Sequence, residues 1–172
     1  INRRLLCPFQ YFGVADSVDL DGLAWQRGGY RIEDLERLYA GNDVRAQLIL
    51  DKTHELLLDP FNCRGLAFCV SVAHAEFMAG FFNDHGLPAL ALTAESPAEV
   101  RRAARDQLRS RSINFIFVVD LYNEGVDIPE VDTLLFLRPT RSLTIFLQQL
   151  GRGLRLHEDK DCLTVLDFIG AQ

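Results

Sequence analysis

Apolar and polar positions change rhythm along this chain. Residues 5–12 (Leu-Leu-Cys-Pro-Phe-Gln-Tyr-Phe) form an extended apolar segment, and Pro8 suits the edge of a sheet. Over 32–39, apolar Ile32, Leu35, Leu38 and Tyr39 recur at helical spacing. Gly41 stops that helix, and Asn42 or Asp43 caps a longer one running to about Leu58. The first third, 1–59, is therefore expected to be a connector with two helices. From Arg64 onward short apolar runs alternate with helical periods. Strands are expected over 65–70, 89–92, 113–119, 133–137 and 163–168. Helices are expected over 73–85, ended by Gly86, over 96–109, and over 142–150. The second of these opens with Ser96-Pro97-Ala98-Glu99, which reads as a capping box with Pro in the first turn. Such alternation predicts an α/β domain over 60–172, a mostly parallel sheet covered by helices on both faces.

Composition narrows this little. The 172 residues suffice for one α/β domain, and 48% hydrophobic with 24% charged residues is ordinary for a globular protein. No apolar run reaches the ~18 residues of a membrane span, and the N-terminus lacks a signal-peptide layout, so a cytoplasmic location and no membrane partner are expected. Cys7, Cys63, Cys69 and Cys162 form no C-x-x-C pair and are expected to be reduced thiols. Asp16, Asp19 and Asp21 lack the spacing and terminal Glu of a calcium loop, so no metal site is expected.

Charge is unevenly placed. The net value is −6, which argues against a generally basic nucleic-acid binder, yet residues 101–155 carry nine arginines against six acids. Two of those arginines end the segment Gln148-Gln149-Leu150-Gly151-Arg152-Gly153-Leu154-Arg155. Arg152 and Arg155 lie three residues apart after an apolar helical run, so one helix face presents both guanidiniums. That pair suits the spread charge of a transferring phosphoryl group. Upstream, Asn123-Glu124-Gly125-Val126-Asp127-Ile128-Pro129 follows an apolar strand directly. Gly125 allows a close backbone approach, and Asp127 can accept ribose hydroxyl hydrogen bonds. A third site is Val70-Ser71-Val72-Ala73-His74, where a strand runs into a helix start that can bind an anion through backbone amides and the Ser71 hydroxyl. Thr93, at the end of the next strand, could touch a phosphate in the same way.

Q-x-x-G-R-x-x-R after N-E-G-V-D-I-P resembles motifs VI and V of superfamily 2 helicases and translocases. The phrasing of these motifs, with Leu137-Arg138-Pro139-Thr140, is similar to bacterial DEAD/DEAH-like helicases of the type III restriction-enzyme branch. The resemblance spans about residues 60–170 and implies a second RecA-like domain. It implies that Arg152 and Arg155 are catalytic arginine fingers reaching ATP, that Gly125, Asp127 and Gln148 join them at the nucleotide, and that Gly151 permits close packing. It implies that Ser71, Thr93, Asn123 and Glu124 meet nucleic acid. DEAD-box proteins usually carry a Thr-Asp pair at the strand end, and here the pair is Val119-Asp120, which points to DNA ahead of RNA.

No G-x-x-x-x-G-K-[ST] loop and no acidic magnesium box occur in this sequence. The chain also begins abruptly, as if cut from a longer one. It is therefore expected to be one half of an ATP-dependent helicase and inactive alone. ATP and Mg2+ would be held mainly by a first RecA-like domain absent here. The alternative is a stand-alone Rossmann-like nucleotide- or DNA-binding module. The segment Val70–Ala75 has no glycine where such a module needs its Gly-rich turn.

Overall fold

The computed structural model describes residues 9–20, 22–23, 29–119, 130–139 and 162–171. In chain order these form strand β1 (Phe9–Asp19), helices α1 (Ile32–Tyr39) and α2 (Asp43–Leu56), strand β2 (Gly65–Phe68), helix α3 (Val72–Asp84), strand β3 (Ala89–Leu92), helix α4 (Ala98–Arg109), and strands β4 (Phe115–Val118), β5 (Thr133–Phe136) and β6 (Leu163–Ala171). A 3-10 turn, Pro60–Asn62, precedes β2. The expected helix over 142–150 lies outside the described residues.

Six strands lie in the order β1-β6-β5-β2-β4-β3, and every pairing is parallel. The central strands are short and buried throughout, as a sheet covered on both faces requires. Successive residues point to opposite faces, so each strand feeds two cores. Ala67, Phe117 and Leu135 enter the core under α2 and α3, whereas Leu66, Ile116 and Leu134 enter the one under α4. Phe82 of α3 is fully buried and meets Phe115 and Phe117 edge-on, with centroids 5.3 and 5.0 Å apart. Gly65 is required by packing: a Cβ there would run into the Phe115 ring. Gly86, at φ 82°, supplies the left-handed turn that ends α3 and leads into β3.

The segment expected as a connector with two helices does contain α1 and α2. It also contributes β1, which pairs with β6 from Phe9↔Leu163 to Ala15↔Ile169 and forms one edge of the sheet. Asn42 caps α2, its side chain accepting from the Arg45 amide at 3.0 Å.

One expectation needs correcting. Ser96 does not cap α4: the helix starts a residue later, with Pro97 at the N-cap and no side-chain cap. Pro97 sits at φ −60°, ψ 153°, which keeps it extended rather than helical. Ser96 turns back instead, and its Oγ accepts the Thr93 amide at 3.0 Å.

Strand order fixes where a site can form. From β2 the chain crosses to β3, returns to β4 between them, and then passes to the other side of β2 for β5 and β6. The order thus switches at β2. In open parallel sheets, ligands bind outside the carboxyl ends of the strands at such a switch.

Candidate functional site

β2 delivers Ser71 to that edge. Cys69 and Leu137 extend the ladder past the strand ends: the Cys69 amide donates to Val118 O, and the Leu137 amide donates to Phe68 O. Ser71 then caps α3 in extended geometry, its Oγ accepting the His74 amide at 3.2 Å. Helix geometry leaves the amides of Val72 and Ala73 without an intrahelical acceptor, and both residues are exposed. No acidic residue occupies the first turn of α3. The hydroxyl proton of Ser71 and two amides therefore meet at the positive end of a 13-residue helix, an arrangement suited to a phosphate.

Thr93 leaves β3 on the same edge, with β4 between it and β2. A tight turn holds it. Its Oγ1 accepts the Glu95 amide at 3.2 Å, and its carbonyl accepts the Ser96 amide at 3.1 Å. Arg101 reaches back from α4 and donates through Nη2 to the carbonyls of Ala94 at 2.6 Å and Thr93 at 3.4 Å. The Thr93 hydroxyl is engaged as an acceptor in this turn, and its own proton can be donated outward.

Beneath this edge lies a polar network that sequence reasoning missed. Arg45 of α2 is 1% exposed and donates through Nε to Asp16 of β1 at 2.7 Å; the Asp16 side chain is fully buried. Arg45 Nη2 donates to the Leu137 carbonyl at 2.8 Å. The guanidinium carbon stands 3.8 Å above the Tyr39 ring centre, a cation–π contact. His74 completes the set. Its Nδ1 accepts the Val70 amide at 3.1 Å, while Nε2 lies 3.4 Å from Arg45 Nη1. A neutral imidazole has one acceptor nitrogen, so this network assigns the proton to Nε2. Burial, with Arg45 and then Arg138 adding repulsion, holds the His74 pKa down to about 3. The Tyr39 phenol is pushed up to about 12, mainly by burial. His74 is thus a neutral, buried strut. A signal for the network existed: Arg45 falls in phase with Ile49 and Thr53, on the buried stripe of α2.

Of the sequence-derived site residues, Ser71 and Thr93 come to one edge of the sheet. Asn123, Glu124, Gly125, Asp127, Gln148, Arg152 and Arg155 lie outside the described residues. In sequence, the Asn123–Pro129 motif follows β4 and the arginine pair follows β5, the two strands that flank β2. Among the described residues no cluster of His, Cys, Asp or Glu could hold a metal ion.

Comparison with known proteins bears on the family and the fold. The model of the helicase conserved C-terminal domain matches residues 49–157. IRC3 of Saccharomyces cerevisiae, a protein named as an ATP-dependent helicase, is 26% identical over 99% of this chain and 25% of its own length. The type I restriction enzyme EcoKI endonuclease subunit of Escherichia coli is 32% identical over 58% of this chain and 10% of its own. The chain thus spans a quarter or less of either relative. The crystal structure of the E. coli DEAD-box protein SrmB, bound to regulator of ribonuclease activity A, superposes with a TM-score of 0.60 at 18% identity, covering 96% of this chain and 78% of that one. The shared fold is the RecA-like one. With the family model matching well over half of its residues, the chain belongs to the helicase C-terminal domain family of superfamily 2.

Proposed function

We propose that this chain is the second motor domain of an ATP-dependent DNA helicase or translocase of the type III restriction-enzyme branch. It works against a first RecA-like domain that holds most of the ATP and its Mg2+. The observation that carries this reading is the shared edge. Ser71 and Thr93 stand there, and the strands that lead in sequence to the other two motifs end there too. One edge can then serve both nucleic acid and nucleotide.

On the nucleic-acid side, the start of α3 binds a backbone phosphate, and Thr93 donates its hydroxyl to another. Asn123 and Glu124 extend the same surface. On the nucleotide side, Asp127 accepts from the ribose, Gly125 lets the backbone approach, and Gln148 links the nucleotide to the partner domain. Arg152 and Arg155 stabilise charge that develops on the γ-phosphoryl oxygens as water attacks and ADP leaves. Mg2+ would supply the remaining charge neutralisation when bound. Its ligands are assigned to the first domain, as the resemblance implies. DNA is placed ahead of RNA because Val119-Asp120 stands where a Thr-Asp pair would touch an RNA phosphate.

The test is ATP turnover by the full-length protein with and without DNA. Arg152→Ala and Arg155→Ala should each lower kcat by about 10³–10⁵-fold with a smaller effect on KM, as loss of an arginine finger does. Arg→Lys should rescue poorly, because an ammonium lacks the planar fork. Near-normal DNA-stimulated kcat in both alanine variants would overturn the motor reading.

A further inference from the structure

We infer that Arg45, held by Asp16, is a positioning residue that ties the phosphate-facing start of α3 to the exit of β5 and so couples nucleic-acid binding to ATP turnover. One guanidinium spans both places. Nη2 holds the Leu137 carbonyl, the first residue past β5, and Nη1 packs against the Nε2 edge of His74, in the first turn of α3, a steric contact between two N–H groups rather than a hydrogen bond. His74 in turn accepts the Val70 amide through its ring and gives its own amide to Ser71 Oγ. The path from the Ser71 cap to the β5 exit is thus three contacts long: Ser71 to His74, His74 to Arg45, and Arg45 to Leu137, with Asp16 fixing the arginine from the side at 2.7 Å. These contacts join the two sides of the switch at β2. In sequence, the β5 exit leads to Arg152 and Arg155.

Stability alone does not account for this pair. Burying a guanidinium and a carboxylate carries a desolvation penalty, and well-packed apolar side chains of similar volume often serve a core as well or better. What apolar side chains cannot do is hold a carbonyl and a carboxylate in fixed directions from one planar fork. Tyr39 adds to this by placing its ring face under the guanidinium, which restricts the fork to one plane. The arrangement buys direction rather than cohesion, and the direction is toward the two loops that must act together.

The inference rests on the motor reading above, and its test separates the two. ATP turnover by the full-length protein is measured with and without a saturating single-stranded oligothymidylate, alongside a thermal melt. Two variants are compared with wild type: Arg45→Lys, and the double replacement Asp16→Leu with Arg45→Met. Lysine keeps the charge opposite Asp16 but cannot fork to Leu137. The double variant removes both charges and avoids leaving one buried alone. Both should keep turnover without DNA within about twofold of wild type, keep KM for ATP, and lose tenfold or more of the DNA stimulation. The double variant should melt at or near the wild-type temperature, which a merely structural role would not combine with lost stimulation. Wild-type stimulation in either folded variant overturns the inference while leaving the motor reading intact. If the double variant does not fold, Arg45→Lys alone decides. A wild-type protein whose turnover ignores DNA overturns the motor reading, and the inference with it.

Discussion

Helices α3 and α4 begin at the same edge of the sheet, one strand apart, but their first turns differ in charge and in capping. The start of α3 has a serine cap, no acidic residue, and exposed residues at Val72 and Ala73 whose amides have no intrahelical acceptor. That of α4 has no side-chain cap and carries Glu99, which offsets the positive end of the helix from within. Their anchoring differs too. α3 buries five residues, four of them, Phe82 included, in the larger core, whereas α4 buries only Ala104 and Leu108. The comparison supports placing the proposed phosphate site at the helix start whose field is left open and whose body is fixed. The other start serves the turn around Thr93, through Ser96 and Arg101.

The largest effect that can break this contrast lies in the anchoring. Phe82→Ala should cost about 3–5 kcal/mol, because a fully buried ring in contact with two others leaves a cavity that strands β2 and β4 cannot close. Leu108→Ala, on the more lightly seated helix, should fall nearer about 2 kcal/mol. Denaturant midpoints at constant slope measure both. Equal losses would mean that α4 is held as firmly as α3.

A second effect is set by pH. His74 has a folded pKa of about 3, below its ordinary value of 6.5. Between those values the unfolded chain binds a proton that the folded chain excludes. Stability should therefore rise with pH through that window and be fully regained above about 6.5. At pH 5 the deficit attributable to His74 should be about 2 kcal/mol relative to pH 7.5. Burial raises the Asp132 and Asp167 carboxyls, so just above pH 4 they act in the opposite sense. Subtracting the curve of His74→Asn, whose amide oxygen can still accept from Val70, cancels them. A pH-independent difference would mean that His74 takes up a proton in the fold as readily as in the unfolded chain.

The caps give a smaller effect. Ser71→Ala should cost about 1 kcal/mol, the usual worth of an N-cap. Ser96→Ala should cost roughly half that, since it loses a turn hydrogen bond and no cap. Equal costs would restore Ser96 as a cap.

What the sequence made legible follows from how local each feature is. The helical period of 32–39 and the run 89–92 coincide with α1 and β3, and Ser71 caps α3 where a strand meets a helical pattern. The extended run and its edge position were legible for residues 9–12, but the pairing of β1 with β6 was not, because that partner lies some 150 residues away and no local period encodes it. The Asp16–Arg45 pair is of the same kind: two charges 29 residues apart, joined only once β1 and α2 pack. Ser96 was misplaced by one residue, since Pro97 satisfies the start of a helix as well from the cap as from the first turn. The arginine pair and the Asn123–Pro129 motif remain readings of sequence and family, outside the described residues.

The central claim, that a nucleic-acid phosphate sits at the start of α3, is tested most directly by Ser71→Asp. Aspartate caps a helix about as well as serine, so the fold and its melting temperature should be kept. Its charge, however, occupies the space the phosphate needs. In the full-length protein, the single-stranded DNA concentration giving half-maximal ATP turnover should rise tenfold or more, while turnover without DNA stays at its wild-type value. An unchanged half-saturating concentration in a variant that melts like wild type would contradict the account.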